Sequence, residues 1–331
     1  MSRPAGGRVE INLGKLCNNR CVFCISGDLR DRKGPWMPIE EVKEELRHFY
    51  LRGCRSLGFL GGEPTVYPHI LECVGYARSL GYSRISLCSN GTRLSDPGFC
   101  RSLVSAGMTR VTLSVHSHRQ ELEDLITGVP GNFARKLAAV SNLLALSREG
   151  LLPDKLSLNP VLSRRTLGEM GGYVLFYSGL GVRDIRFNYI WPPDEWEQGH
   201  PEARAWVPAY REAMPEILRI LLLNEKRWGL RLSFGGVPRC ALSLVVSPRL
   251  GRYLAAKYLD EASLDPPNEV SSPHDRGGRE RFLWQERKRD VLKTMAPSCR
   301  SCRHFSGCEG IWRTYVRLYG FGEFKPLGEH P

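Results

Sequence analysis

The sequence lacks a long hydrophobic run, and it lacks the features of a secretory signal. The stretch nearest to a membrane span, Ala138–Leu146, is interrupted by Ser141 and Asn142 and is far shorter than the ~18 apolar residues that a span needs. The N-terminal segment Met1–Arg8 has no apolar core of the kind found in signal peptides. We therefore expect a cytoplasmic protein without a membrane partner.

Glycine and proline are not in excess either. With 34 glycines and 22 prolines among 331 residues, the composition excludes a collagen-like repeat and a largely disordered chain. The 42% hydrophobic and 25% charged residues are typical of a globular protein. The length suits one large domain and a smaller one.

The eleven cysteines are unevenly distributed. Disulfides are rare in the cytoplasm, so closely spaced cysteines there indicate metal or redox chemistry. One group lies near the start and one near the end, with a single cysteine far from both: Cys17, Cys21 and Cys24; Cys299, Cys302 and Cys308; and Cys240. The other four are expected to be small core residues: Cys54, Cys73, Cys88 and Cys100.

Short apolar runs alternate with longer helical patterns over residues 1–229. Six strands, each followed by a helix, predict an α/β fold with a parallel sheet. About 220 residues are few for eight such units, so we predict a partial (β/α)6 TIM-like barrel. The predicted strands are Val9–Leu13, Ser56–Leu60, Arg84–Ser89, Arg110–Ser114, Lys155–Pro160 and Asp184–Ile190. The predicted helices are Ile39–Leu51, Pro68–Leu80, Pro97–Ala106, Asn132–Arg148, Leu167–Ser178 and Glu202–Trp228.

Residues 230–331 have a different pattern and form the predicted second domain. Leu230–Phe234 is predicted as a strand, Ser263–Arg279 as a loop because it is rich in Pro, Asp, Ser and Gly, and Glu280–Thr294 as a charged helix. The last segment, Pro297–Pro331, is too short to have its own hydrophobic core. A bound metal is expected to hold it together.

The clearest motif is CxxxCxxC, formed by Cys17, Cys21 and Cys24 just after the first predicted strand. Three thiolates on one short loop can bind three irons of a [4Fe–4S] cluster and leave the fourth iron open. A zinc site is the alternative, but tetrahedral zinc requires a fourth protein ligand. With the aromatic Phe23 before its third cysteine, this motif resembles the signature of the radical SAM superfamily.

A second motif, Gly61-Gly62-Glu63-Pro64, directly follows the second predicted strand. Two glycines at a strand end let the backbone approach a ligand closely, and a carboxylate can pair with an ammonium group. The resemblance implies that this segment, with Phe23, binds S-adenosylmethionine through its methionine amine.

Polar residues also stand where later strands end. The resemblance implies that Ser114 contacts the ribose or carboxylate of the cofactor, and that Ser89, Asn90 and Asn159 are candidate substrate contacts. Turn capping is the alternative role for such residues. The two histidines beyond the fourth strand, His116 and His118, are expected to be polar surface residues.

Within this superfamily, one electron from the reduced cluster cleaves S-adenosylmethionine to methionine and a 5′-deoxyadenosyl radical. This radical abstracts a substrate hydrogen, and the protein positions the reactants and excludes water. The resemblance also implies an electron donor such as flavodoxin or ferredoxin, and oxygen sensitivity.

The C-terminal cysteines Cys299, Cys302 and Cys308 form the third motif. Together with Cys240 they could form a structural zinc site with four cysteine ligands. In the superfamily, such cysteines after the barrel resemble the SPASM or shorter twitch extensions, which bind auxiliary [4Fe–4S] clusters. Four ligands suffice for one cluster, so the twitch-like form is favoured, with Cys240 as the expected fourth ligand.

The resemblance favours modification of a peptide or protein. Because the barrel begins at Val9, we expect a separate peptide-carrier protein or direct docking. Radical modification of a nucleotide, sugar or other small metabolite is the alternative. A non-catalytic iron–sulfur or zinc protein is the alternative from another class.

The positive net charge favours a solvated basic surface over a site for an anionic partner. The sequence has 47 Lys and Arg against 35 Asp and Glu, a net charge of +12. Basic surfaces attract nucleic acids and phosphorylated substrates, but the sequence has no recognisable RNA-binding module. An anionic partner, such as a nucleic acid, is the alternative.

Overall fold

The computed structural model describes residues 7–24, 36–193, 201–259, 268–273 and 278–328. Within these ranges the strands are β1 (Arg8–Asn12), β2 (Ser56–Leu60), β3 (Arg84–Ser89), β4 (Arg110–Leu113), β5 (Leu156–Leu158), β6 (Val161–Leu162), β7 (Asp184–Tyr189), β8 (Arg231–Gly235), β9 (Asn268–Pro273), β10 (Arg279–Leu283), β11 (Lys293–Thr294) and β12 (Ile311–Trp312). The α-helices are α1 (Ile39–Leu51), α2 (Ile70–Leu80), α3 (Pro97–Ser105), α4 (Gln120–Thr127), α5 (Asn132–Arg148), α6 (Arg164–Leu167), α7 (Met170–Leu180), α8 (Pro201–Trp206), α9 (Tyr210–Leu223), α10 (Pro248–Tyr258), α11 (Trp284–Arg287) and α12 (Arg313–Tyr319).

The chain divides into two compact units. Unit 1 consists of Met1–Asn159, Tyr177–Asp184 and Pro266–Trp284, and unit 2 of Pro160–Phe176, Ile185–Asp265 and Gln285–Pro331. The domain boundary at residue 229 stays a prediction.

Unit 1 contains a sheet with the strand order β10-β9-β1-β2-β3-β4-β5. Neighbouring strands from β9 to β5 are parallel, and β10 is antiparallel to β9. Val9 and Ile11 on β1 are completely buried, whereas the alternate residues are half-buried, as expected for a strand with two different faces. The predicted α/β class with parallel strands is confirmed, and the carboxyl ends of β1–β5 lie along one edge of the sheet.

The C-terminal segment departs most from the prediction. The composition of Ser263–Arg279 predicts a loop, but Asn268–Pro273 is strand β9, which pairs in parallel with β1. The pattern of Glu280–Thr294 predicts a helix. Its first residues instead form β10, and the helix is confined to α11 and the π-helical turn Lys288–Leu292 that follows it. The edge of β1 supplies the hydrogen bonds that make this polar segment a strand. Residues 263–267 and 274–277 lie outside the described residues.

Unit 2 contains β6, the part of β7 after Asp184, and β8, with β6 parallel to β7 and β8 paired to β7. The helix predicted over Glu202–Trp228 is divided into α8, α9 and a π-helical turn at Asn224–Trp228. Pro208 lies between α8 and α9. A proline disfavours the helical conformation of the residue before it and has no N–H to donate, so a helix is interrupted here. β11 and β12 form a separate antiparallel pair. None of the helices in the described ranges combines the length and the hydropathy of a membrane span.

Candidate functional site

The loop from Cys17 to Cys24 follows β1 and is held in place by unit 1. The backbone N–H of Arg20 donates to the carbonyl of Thr127 (2.8 Å), and that of Val22 donates to the carbonyl of Ile126 (3.0 Å). Both carbonyls lie at the C-terminal end of α4, where orphan helix carbonyls need donors. The loop therefore has a defined backbone path.

The residues between the first two cysteines are also fixed. The side chain of Asn90, after β3, donates to Asn18 Oδ1 (2.6 Å), and the side chain of Asn132, at the start of α5, donates to Asn19 Oδ1 (3.1 Å). Asn132 and Asn19 are almost fully buried. Three separate elements thus determine where the cysteines lie.

The three thiols of this loop are half-buried, and none of the three forms a disulfide. Burial raises the pKa of Cys21 to about 12, the thiols of Cys24 and Cys17 add to this increase, and the Lys136 ammonium opposes it. Cys17 Sγ accepts a hydrogen bond from the Asn19 N–H (3.4 Å) and one from Asn90 Nδ2 (3.7 Å). Donors of this kind stabilise a thiolate ligand.

In the described part of the chain, no three His, Cys, Asp or Glu side chains converge tightly enough to hold a single metal ion. A four-iron cluster binds each thiolate through a different iron, so its ligands stand farther apart than those of a mononuclear site. Three thiols on one fixed loop fit such a cluster.

Gly61 and Gly62, which follow β2, pack against the segment that leads to Cys17. Gly62 N–H donates to the Gly14 carbonyl (2.7 Å), and Glu63 N–H donates to the Leu16 carbonyl (2.8 Å). A Cβ atom at Gly62 would lie 2.1 Å from the Leu16 oxygen. The glycines are therefore required for the close approach of two protein segments.

Glu63 is completely buried, and protein donors bind both of its oxygens. Oε1 accepts from the Thr65 N–H (2.9 Å), the Thr65 hydroxyl (2.6 Å) and the Ser89 hydroxyl (2.7 Å), and Oε2 accepts from the Asn90 N–H (2.6 Å). Burial raises the pKa of the Glu63 carboxyl, and these hydrogen bonds act in the opposite direction. The predicted ammonium pairing stays a prediction; the observed role is to join the turns after β2 and β3.

The remaining predicted contacts lie at the same edge of the sheet. Pro64 is buried at the start of a short 3₁₀ turn, and Phe23 is buried with its ring edge-on to His116 at 5.1 Å between centroids. Ser114 is half-buried, and its hydroxyl lies 3.6 Å from Cys88 Sγ. Asn159 donates its backbone N–H to the carbonyl of Leu113 (2.8 Å).

Cys54, Cys73 and Cys100 are buried core residues, as predicted. Cys88 is the exception, because it is half-buried at the end of β3 beside Ser114. A residue at the end of a strand lies at the edge of the sheet and is less covered by its neighbours. The apolar residues around Cys88 in the sequence do not indicate this position.

Sequence reasoning missed a buried ion pair near the motif. Glu123 on α4 pairs with Lys136 on α5, and both side chains are at most 1% exposed. The other Glu123 oxygen accepts the backbone N–H groups of His116 (2.7 Å) and Ser117 (2.6 Å), while Lys136 Nζ donates to the Ser114 carbonyl (2.7 Å). Charged residues 13 positions apart give no sequence signal for burial.

The predicted surface position of His116 is wrong, because this side chain is only 5% exposed. Burial lowers the pKa of His116 to about 4; the Lys136 ammonium lowers it further, and the Glu123 carboxylate opposes this. The neutral imidazole packs against Phe23, which explains its place in the core. His118 is half-buried.

We expect His116 to make the protein acid-sensitive. In the unfolded chain, His116 becomes protonated as the pH falls below its ordinary pKa of 6.5. In the folded chain it becomes protonated only near pH 4. The folded state therefore loses stability as the pH falls from 6.5 towards 4. Between pH 7 and pH 5 the parent should lose about 2 kcal/mol more of its free energy of unfolding than His116→Phe. Urea unfolding of both proteins tests this, and equal pH slopes would contradict it.

The C-terminal cysteines come together with Cys240 in unit 2. Cys240 lies in the 3₁₀ segment Arg239–Leu244, and Cys299, Cys302 and Cys308 lie at short 3₁₀ turns. Burial raises the pKa of Cys240 to about 12, and the thiols of Cys308, Cys299 and Cys302 raise it further. The four thiols therefore lie within electrostatic range of one another, although Cys240 is distant from the other three in sequence.

Residues 11–153 match the model of the Radical SAM superfamily, so the chain contains a radical SAM domain. A probable GTP 3′,8-cyclase of Saccharolobus islandicus is 30% identical over 189 residues, which cover 56% of this chain and 57% of that protein. Another probable GTP 3′,8-cyclase, from Thermococcus kodakarensis, is 32% identical over 174 residues, covering 53% of this chain and 54% of the relative. This chain thus spans little more than half the length of these relatives.

Two solved structures share the fold over nearly the whole chain. Streptococcus suis SuiB bound to S-adenosylmethionine matches with a TM-score of 0.60 and 14% identity, over 97% of this chain and 76% of that one. Native anSMEcpe with bound AdoMet and the Kp18Cys peptide matches with a TM-score of 0.57 and 14% identity, over 96% and 92%. At this identity the likeness shows the fold alone.

Proposed function

We propose that this radical SAM domain makes the chain a radical SAM enzyme that modifies a peptide or protein. The observation that carries the proposal is the fixed loop of Cys17, Cys21 and Cys24, packed against the Gly61–Gly62 turn. Cluster and S-adenosylmethionine, when bound, supply the electron and the carbon radical that removes a substrate hydrogen. An electron donor such as flavodoxin or ferredoxin, and a cytoplasmic location, are part of the proposal.

The chain's own residues position these groups. Cys17, Cys21 and Cys24 would bind the cluster, and Asn90 donates a hydrogen bond to the first of these thiolates. Glu63 holds Ser89 and the Asn90 backbone in place, so the turns after β2 and β3 form one rigid edge. The proposed contacts for S-adenosylmethionine are Phe23, Gly61, Gly62, Glu63, Pro64 and Ser114. The proposed contacts for substrate are Ser89, Asn90 and Asn159.

Cys240, Cys299, Cys302 and Cys308 are proposed to bind an auxiliary [4Fe–4S] cluster in a twitch-like extension. Cys308 Sγ accepts a hydrogen bond from the Gly310 N–H (3.4 Å), which favours a thiolate ligand. A structural zinc ion is the alternative for the same four ligands, and it would require these thiols to move closer together than they are in this structure.

The proposed activity is tested by incubating the anaerobically reconstituted protein with S-adenosylmethionine and dithionite. We expect 5′-deoxyadenosine from the parent and none from Cys21→Ala, because two thiolates cannot hold the cluster in place. Cys100→Ala is the matched control, since this thiol lies on the buried face of α3, and it should keep the activity. An iron-loaded parent that forms no 5′-deoxyadenosine would leave only the non-catalytic alternative.

The auxiliary cluster is tested by iron and zinc analysis. We expect about eight irons per chain, and about four in the double variant Cys299→Ala/Cys302→Ala. Cys73→Ala, which removes a buried thiol of α2, should leave the count unchanged. About four irons and one zinc in the parent would instead make the C-terminal site a structural zinc site.

Nucleotide modification is the second candidate, because the sequence relatives are named as probable GTP 3′,8-cyclases. Modification of a peptide is supported by the structural similarity to SuiB and anSMEcpe, which extends into the C-terminal region. Incubation with GTP separates the two: we expect no consumption of GTP, and conversion of GTP would establish the second candidate.

A further inference from the structure

The C-terminal end of α4 holds the backbone on both sides of Cys21. Ile126 and Thr127, the last two residues of α4, supply the acceptor carbonyls. The donors are the N–H groups of Arg20 and Val22, which are the two neighbours of Cys21 in the chain. Because both hydrogen bonds end on the same helix, a movement of α4 has to move Cys21 as well.

The residue after α4, Gly128, packs directly on the cysteine loop. Its φ of +65° lies in the left-handed region, which glycine adopts without strain. A Cβ atom at this position would lie 2.9 Å from the Arg20 carbonyl oxygen and 3.1 Å from Arg20 Cβ. A larger residue here would therefore push the loop away from the end of α4.

The buried ion pair of Glu123 and Lys136 fixes α4 to two other elements. Glu123 lies on α4, one turn before its end, and one of its oxygens binds Lys136 on α5. The other oxygen accepts the backbone N–H groups of His116 and Ser117, which follow β4. Three donors on one buried carboxylate define the relative positions of these elements more narrowly than apolar contacts would.

The two elements that the pair joins to α4 contact the cysteine loop at further points. His116, after β4, has its ring edge-on to Phe23, with 5.1 Å between centroids. Asn132, at the start of α5, donates to Asn19 Oδ1 (3.1 Å). A single buried pair thus connects three separate supports of the loop.

We propose that α4, held by the Glu123–Lys136 pair, sets the position of Cys21 and thereby of the cluster that binds S-adenosylmethionine. The inference rests on this cluster in the proposed function. Glu123 and Lys136 are positioning residues, because they act through the hydrogen bonds between α4 and the loop. A displaced Cys21 thiolate would change the geometry of the cluster and of the iron that is open to the cofactor.

Gly128→Ala tests the contact between α4 and the loop. EPR spectra of the reconstituted, dithionite-reduced full chain are recorded with and without S-adenosylmethionine. The proposed auxiliary cluster has four protein ligands, so the difference between the two spectra reports on the cluster with the open iron. We expect Gly128→Ala to change this difference spectrum and to lower the formation of 5′-deoxyadenosine roughly 100-fold.

Gly131→Ala is the matched control for this variant. Gly131 also has a positive φ, of +73°, but a Cβ atom there would meet no other atom within 4 Å. Alanine therefore introduces a similar backbone strain without a push on the loop. Gly131→Ala should keep the difference spectrum and the activity of the parent.

Lys136→Met tests the ion pair, because it leaves the Glu123 carboxylate without its ammonium partner. We expect the same kind of change in the difference spectrum as in Gly128→Ala. Gly128→Ala alters no charge, so agreement between the two variants assigns the effect to position rather than to charge. If Lys136→Met does not fold, the double variant Glu123→Gln/Lys136→Met, which has no buried charge at this place, should show the same change.

Leu146→Ala is the control for a general loss of stability. Leu146 is a buried residue near the other end of α5, and its truncation leaves a cavity. This variant should unfold at a lower urea concentration than the parent and still give the difference spectrum of the parent.

The outcomes separate the inference from the proposed function. A changed difference spectrum in Gly128→Ala and Lys136→Met, with parent spectra in both controls, supports the inference. A parent spectrum in either of these variants, or the same change in Gly131→Ala or Leu146→Ala, overturns it while the cluster of the cysteine loop stands. If the parent spectrum does not respond to S-adenosylmethionine, the proposed function fails, and the inference fails with it.

Discussion

Gly62→Ala is expected to abolish the formation of 5′-deoxyadenosine. A Cβ atom at this position would lie 2.1 Å from the Leu16 oxygen and 2.4 Å from the Lys15 oxygen. Both atoms are backbone and cannot rotate away, so the segment before Cys17 has to move. A displacement of about 1 Å in a reacting group is enough for roughly 100-fold loss of rate, and we expect at least this loss.

Gly75→Ala is the matched control for this variant. Gly75 lies on α2, and a Cβ atom there would meet no other atom within 4 Å. Alanine in a helix should therefore preserve activity and stabilise the protein by about 0.5–1 kcal/mol. Measurement of 5′-deoxyadenosine formation and urea unfolding covers both variants. Full activity in Gly62→Ala would show that the contact with Leu16 does not position the cysteine loop.

Glu63→Ala is expected to cause the second large effect, on stability as well as activity. It leaves four buried donors without an acceptor: the N–H and hydroxyl of Thr65, the Ser89 hydroxyl and the Asn90 N–H. Each unsatisfied buried group costs roughly 1–3 kcal/mol, although the hydroxyls can turn to other acceptors. We expect the free energy of unfolding to fall by about 4 kcal/mol.

Glu63→Gln distinguishes the contribution of the hydrogen bonds to stability from that of the negative charge. The glutamine side chain keeps one acceptor oxygen, but its NH₂ group replaces the other. This NH₂ group would then face a second donor, either the Asn90 N–H or the Thr65 N–H, and could not bond to it. We expect a smaller loss of about 2 kcal/mol, measured by urea unfolding. Glu72→Gln, which changes a surface carboxylate on α2 that pairs with Lys43, should alter stability by less than about 0.5 kcal/mol. Equal stability of Glu63→Ala and the parent would contradict the proposed network.

Elements with local signals were predictable from the sequence. The observed limits of α1, α5, β2 and β3 coincide with the predicted ones, because regular apolar spacing and flanking turn residues act within each segment. The cysteine loop and the glycine turn also follow β1 and β2 as predicted, since both motifs come after strands with clear patterns.

Features that depend on distant partners were not predictable. The polar sequence of β9 forms a strand only because β1 offers an open edge about 260 residues earlier in the chain. Burial of Lys136 depends on Glu123, and the sequence pattern does not predict α4, which carries Glu123. Likewise, two of the four donors to the Glu63 carboxylate come from Ser89 and Asn90 on the turn after β3, and no signal near the motif indicates these two.

The pairing of β9 with β1 also affects the order in which the sheet can be completed during synthesis. Arg8 pairs with Asn268, so one edge of β1 lacks this partner until the ribosome has made β9. At roughly 5–20 residues per second, this interval lasts about 13–50 seconds. During this time β1 presents open hydrogen-bonding groups to other chains, and its charged Arg8 and Glu10 oppose pairing with them. The nascent chain should therefore be most prone to aggregation before residue 268 emerges.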